Sequence, residues 1–226
     1  MKKITYIALA AASLGAAMDA SAGVPTQSYT VTSNTLSFAK KTGSGTLDLT
    51  QFNTALGTLQ SVQVQLFSDF GSTIKVENTS TSSGSKISGT ATATLTLTGL
   101  SQVLNDSGSH DFNVLAYDGR TDFAGASGGS FTFSGPATSS SALYTDVTTK
   151  SLFSSAPVHL ALTTLANGTV NGISGNTASV ILPSFDAYAK VTYTYVATPV
   201  PEPETYAMLL AGLGLVGAIA RKRKAK

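Results

Sequence analysis

The amino-acid sequence predicts an all-β fold. A single jelly-roll-like β-sandwich domain is expected, flanked by a signal peptide and a C-terminal transmembrane helix. Three observations predict it. Apolar and polar residues alternate with a period of two through the middle of the chain. Clusters of Gly, Ser, Asn and Asp punctuate that alternation. Apolar runs with basic flanks stand at both ends. Ser, Thr and Gly are plentiful while Glu, Lys and Arg are scarce, which argues against a mostly helical body.

The first 22 residues read as a secretory signal. Lys2 and Lys3 open it, Ile4 to Ala17 is apolar, and Ala20-Ser21-Ala22 offers small residues to signal peptidase, with cleavage expected between Ala22 and Gly23. A retained membrane helix is the alternative, but the run falls short of the roughly 20 residues a span requires.

Residues 23–198 form the expected domain. Val62, Val64 and Leu66 alternate with Gln63, Gln65 and Phe67. Thr90 to Thr98 places every threonine on one strand face, and Val191, Tyr193 and Tyr195 alternate with Thr192, Thr194 and Val196. Shorter strands are expected at Tyr29–Phe38, Ser72–Glu77, Asp111–Tyr117, Ser130–Phe133, Val158–Thr164 and Thr177–Leu182. Turns are expected at Gly43–Gly45, Ser82–Ser85, Asn105–Gly108, Gly125–Gly129 and Asn167–Gly175. No long helix is expected in this body.

The last segment, 199–226, has three parts in order. Pro201-Glu202-Pro203-Glu204 comes first, then an apolar run of about 205–220, then Arg221-Lys222-Arg223-Lys224. Sixteen helical residues span roughly 24 Å, short of a hydrocarbon core of about 30 Å, with Tyr206 and snorkelling basic side chains to cover the deficit. The basic end is expected to stay cytoplasmic, leaving the body outside the inner membrane. A buried core helix is the alternative for this run. The segment closely resembles the PEP-CTERM sorting signal in its Pro-Glu-Pro motif, its short glycine-bearing span and its basic end. That resemblance implies a Gram-negative bacterium that makes exopolysaccharide. It also implies an exosortase, a membrane cysteine transpeptidase, as the partner that reads Pro201, Glu202 and Pro203. These residues would be the substrate of that enzyme, and the two prolines would keep them extended and accessible.

Leu47–Asn78 resembles the choice-of-anchor E domain. Phe52, Leu56-Gly57-Thr58-Leu59, Val62, Val64, Leu66 and Val76-Glu77-Asn78 carry the match, and Leu182-Pro183-Ser184-Phe185-Asp186 adds to it. Thr50, Asn53 and Thr54 depart from the family's Pro, Asp and Pro. The resemblance implies a β-rich extracellular domain of uncharacterised activity, spanning about residues 28–197. Phe52, Leu56 and Leu59 are expected to pack under the sheet before strand 62–67.

Charge and residue counts narrow the function. Seven of the 14 basic residues lie in the two end segments, and the body keeps seven basic against nine acidic residues. The basic balance of the whole chain therefore belongs to its ends, and nucleic acid is not an expected partner. The absence of Cys excludes a disulfide scaffold, a thiolate metal site and a Cys nucleophile. His110-Asp111 is the only adjacent His–carboxylate pair, and neighbours on a strand face opposite ways. Glu77, the only Glu of the body, is expected to face solvent. No catalytic residues and no cofactor are expected, so the body reads as non-enzymatic. Asp106, Asp111, Asp118 and Asp122 are the one candidate Ca²⁺ set, against the plainer reading of solvated turns. The leading function is an exported, non-enzymatic surface or matrix protein of biofilm and exopolysaccharide. A Ca²⁺-dependent polysaccharide-binding module and a hydrolase assembled from distant Ser, His and Asp are the competing classes.

Overall fold

The computed structural model describes residues 26–135, 137–173, 175–198 and 203–224. The expected signal peptide, with its Ala22–Gly23 cleavage site, lies outside the described residues. Two long strands organise the body: β4 (Gly57–Asn78) and β10 (Thr177–Ala197) pair antiparallel from Ala197↔Gly57 to Thr177↔Asn78. Around them, β1 (Thr26–Thr32) and β2 (Leu36–Phe38) pair with β10, while β7 (Gly128–Ser134) and β8 (Thr138–Tyr144) pair with β4. The second sheet runs β3 (Thr42–Leu49), β9 (Val158–Gly172), β5 (Ser85–Leu97), β6 (Gln102–Val114). The order β1-β10-β4-β7 facing β3-β9-β5-β6, antiparallel throughout, is the connectivity of a jelly roll.

The alternation builds the core. Val62, Val64, Leu66, Phe70, Ile74 and Val76 of β4 are buried against Ile87, Ala91, Ala93, Leu95 and Leu97 of β5 and Leu160 and Leu162 of β9. Thr90, Thr92, Thr94 and Thr96 lie on the opposite face of β5. A bulge makes one part of this pattern work. Thr194 pairs with Ser61 and Tyr195 with Leu59, so Gln60 is the extra residue. It resets the pleat, and both Leu59 and Val62 point inward. Gly57 precedes it at φ +146°, with Val196 O 2.0 Å from where a Cβ would stand, so no side chain fits.

One end of the sandwich is closed by aromatics. Phe52 is buried, as expected, against Tyr29, Tyr193 and Tyr195 with ring centroids 5.5–6.2 Å apart. The short helix α1 (Val147–Ser154) adds Phe153 to this group. Asp146 caps α1 by accepting from Thr149 N at 2.8 Å, which holds its carboxyl below the usual carboxylate range. Leu56 corrects the expectation made for it: it sits in the 3-10 turn Thr54–Leu56 and is exposed, because that turn projects away from the sheet.

Several expected turns are strand interiors. Gly43–Gly45 lies in β3, Asn105–Gly108 in β6, and Asn167–Gly172 in β9. Their glycines are sockets. A Cβ on Gly43 would stand 2.3 Å from the Phe38 ring, on Gly108 2.2 Å from Phe133, and on Gly168 2.2 Å from Ile181. Strand interiors tolerate glycine where another part of the chain approaches this closely.

The tail forms helix α2 (Pro203–Lys224). Met208, Leu209, Leu210, Leu213, Leu215 and Val216 are each at least 60% exposed, which excludes the buried-helix alternative for that stretch. Among the described residues no helix is long and apolar enough to cross a membrane. Within the expected span 205–220, residues 207–217 are exposed on α2, and Gly212, Gly214 and Gly217 dilute its apolar run.

Candidate functional site

The four aspartates proposed for Ca²⁺ do not converge. Asp106 and Asp111 both lie on β6, five residues apart and therefore on opposite faces. Asp106 accepts from Thr138 Oγ1 at 2.7 Å, tying β6 to β8. Asp111 bonds Lys86 Nζ at 3.0 Å, and that contact holds its carboxyl below the usual range. Asp118 and Asp122 occupy the loop after β6, where each accepts a backbone N–H two residues on, from Arg120 at 3.0 Å and Ala124 at 3.1 Å. These are turn-forming bonds. Among the described residues no three His, Asp or Glu gather to hold a metal ion.

Glu77 overturns its expectation. It is fully buried, because the 115–127 loop folds over the end of β4. Its Oε2 accepts from Phe123 N at 2.7 Å and its Oε1 from Ser127 Oγ at 2.5 Å. Asn78 completes the clamp, donating from Nδ2 to Ser83 O at 2.9 Å and Leu115 O at 2.8 Å. Phe123 is held at φ +58° within this loop, a conformation rare for a non-glycine residue. Val76-Glu77-Asn78 is therefore a structural staple.

The His110-Asp111 neighbours form no dyad. His110 stacks on Phe131 with centroids 3.7 Å apart, while Asp111 turns to Lys86. A different His–carboxylate pair exists that sequence adjacency did not reveal: Asp48 of β3 faces His159 of β9, with Nδ1 and Oδ1 2.6 Å apart. Both are more than half exposed beside an open cleft of about 430 Å³ lined by Leu49, Thr50, Gln51 and Pro157. That lining contains no serine to serve as a nucleophile.

A concavity that mixes polar side chains with Phe38, Phe133 and Phe185 lies on the outer face of the β4–β10 sheet. Register places Tyr188 opposite Phe67, Asp186 opposite Asp69, and Ser184 opposite Gly71. Ser37 of β2 lies on the other side of Asp186, and Ser134 of β7 on the other side of Gly71. Gly71 leaves a dip of about 440 Å³, walled by Asp69, Asp186, Ser37, Ser184, Thr132 and Ser134. Opposed residues on antiparallel strands have Cβ atoms about 4.5–5.5 Å apart, and like charges in that position repel. Neither carboxylate has an ion-pair or hydrogen-bond partner among the described residues. Next in the ladder, the Phe67 and Tyr188 rings stack at 4.9 Å, with Lys190 Nζ 5.2 Å from the Phe67 centroid. Sequence reasoning missed this site because its two carboxylates belong to strands far apart in the chain.

At the tail, Pro203 is the first residue of α2, where its fixed φ suits a helix start. It does not prolong an extended stretch, as had been expected of it. Pro201 and Glu202 lie outside the described residues.

Residues 199–224 match the family model of the PEP-CTERM protein-sorting motif. That motif marks an exported protein targeted to exosortase, membrane-anchored before processing and at the cell surface afterwards. No curated protein matches the chain. Among solved structures, similarity is found to the Macrobrachium rosenbergii nodavirus at 10% identity and TM-score 0.17, covering 89% of this chain and 62% of that one. Particles derived from infectious bursal virus match at 14% identity and TM-score 0.16, covering 83% of this chain and 47% of that one. The chain spans less than two thirds of either, and likenesses this slight carry no argument.

Proposed function

We propose that this chain is a non-enzymatic surface or extracellular-matrix protein of a Gram-negative bacterium. The tail delivers it to exosortase, and the jelly roll is the part displayed, facing the exopolysaccharide of a biofilm. The observation that carries this reading is the sorting motif over residues 199–224. The apolar side chains of α2, exposed from Met208 to Val216, support it, since a patch of this kind calls for lipid or a partner. The domain and the tail are separable in sequence: β10 ends at Ala197, and the last described tie to the domain is Thr198 N to Leu56 O at 3.1 Å.

The choice-of-anchor resemblance supports the same reading, because it pairs a β-rich extracellular domain with an interchangeable anchor. The experiment is deletion of residues 199–226, with fractionation and intact-mass measurement of the mature chain. The parent should lose mass at both ends and reach the surface, while the truncated chain leaves the membrane fraction with its β-domain folded. A truncated chain that reaches the surface as the parent does would overturn the role of the tail.

A further inference from the structure

The outer-face cleft at Gly71 has a composition that selects its occupant, and we infer that it binds a saccharide unit carrying a protonated amine. The inference rests on the surface reading only for where such a ligand is met.

Three features of the ladder converge. First, Asp69 and Asp186 stand opposite one another across β4 and β10 with no ion-pair or hydrogen-bond partner among the described residues, in a position where like charges destabilise the sheet. A local rule broken at the mouth of a cleft is the mark of a functional position. Among the described residues no Lys or Arg lines the cleft itself, and the nearest cation along the row is Lys190 at the Phe67–Tyr188 rings; between the two carboxylates an anionic group meets negative charge, whereas a cation relieves their repulsion.

Second, Ser37, Ser184, Ser134 and Thr132 surround the carboxylates with groups that both donate and accept. This suits a polyhydroxylated ligand better than a bare ion. Third, the stacked Phe67–Tyr188 pair lies next to the cleft on the same row and leaves the outer face of the stack as apolar surface for the C–H face of a sugar ring, with Lys190 Nζ at 5.2 Å from the Phe67 centroid. The volume, about 440 Å³, falls in the range of small-ligand sites, roughly 300–1,000 Å³. Gly71 forms the floor. A Cβ there would stand 2.9 Å from Phe133 O and 3.4 Å from Ser184 Oγ, so the dip exists only while this residue lacks a side chain.

The test is calorimetric titration of the full-length chain in detergent with a glucosamine tetrasaccharide. Its N-acetylated form, cellotetraose and CaCl₂ serve as separate arms. The amine-bearing oligomer should bind on the order of tenfold more tightly than the acetylated oligomer or cellotetraose. The double variant Asp69→Asn/Asp186→Asn should lose that preference, and Tyr188→Ala should weaken binding about fivefold. Thermal unfolding of the Asn variants should occur at or above the parent's temperature, because they remove a repulsion. Equal binding of all three oligomers overturns the inference, as does binding of Ca²⁺ alone, or of nothing. These comparisons use the parent chain and survive a variant that fails to fold. A negative result leaves the sorting role intact, and a tail that is never cut leaves this site intact.

Discussion

The outer faces of the two sheets follow the same alternation but carry different chemistry. On the β3-β9-β5-β6 sheet, Thr90, Thr92, Thr94 and Thr96 meet Thr163, Asn167 and Thr169 on one side and Asn105, Ser107 and Ser109 on the other. Thr94 Oγ1 donates to Asn105 Oδ1 at 2.9 Å. At its margins Lys86 pairs with Asp111, and Asp48 shares a hydrogen bond with His159. On the opposite sheet the corresponding face brings together a stacked aromatic pair, two facing carboxylates with no partner among the described residues, and a glycine dip. The first face is a stable solution for a sheet that must meet water. The second departs from that solution within a few residues, and the departure locates the site.

Breaking the comparison at its most buried point should have the largest effect. Glu77 belongs to the same outward-facing row of β4 as Phe67 and Asp69, but a loop covers it. Glu77→Ala leaves Phe123 N–H and the Ser127 hydroxyl without their acceptor and should cost about 2–3 kcal/mol in denaturant unfolding. Next comes Tyr193, whose hydroxyl donates to Thr50 O at 2.8 Å; Tyr193→Phe should cost about 1 kcal/mol. Burial raises the pKa of this phenol above the ordinary 10.0. Its neutral form is favoured by folding, so the contribution is complete below about pH 10 and is lost as pH rises beyond it. Stability measured from pH 8 to pH 11 should fall at the alkaline end, and Tyr193→Phe should flatten the fall.

A smaller effect of opposite sign is expected at the cleft. Asp69→Asn should stabilise the chain by about 0.5 kcal/mol, by removing a like charge opposite Asp186. The matched change on the other face, Thr92→Asn, should stay within about 0.5 kcal/mol of zero. The smallest effect belongs to the exposed Lys86–Asp111 pair. Its lowered carboxyl pKa means that its contribution is present at neutral pH and lost on acidification through the carboxylate range. Lys86→Met should therefore change unfolding midpoints only slightly, and less at pH 3 than at pH 7.

What was legible in the sequence follows from how local its cause is. The strand faces at Val62–Leu66 and Thr90–Thr96 are legible because a half-buried strand imposes alternation on itself. The tail is legible because its three parts are consecutive. The glycines of β3, β6 and β9 were misleading because their reason lies in a distant ring or Ile181, and a one-dimensional reading takes glycine for a turn. β4 and β10, of 22 and 21 residues, were broken into shorter pieces, at Gly71 in β4 and around Pro183 in β10. Glu77 was misplaced because its cover is a loop forty residues later. The cleft was illegible because only the register of β4 against β10 brings Asp69 to Asp186.

The strand that leads into the tail has a mechanical consequence. β10 is flanked on both sides, by β1 through residues 190–196 and by β4 along its whole length. Antiparallel hydrogen bonds lie perpendicular to the strand axis. Tension entering the domain from Ala197 therefore runs along β10 and loads those two ladders in shear, many bonds at once. A tail leaving from an edge strand would peel one bond at a time. Tension arriving from the tail thus meets the longest strand pairing of the domain rather than an edge.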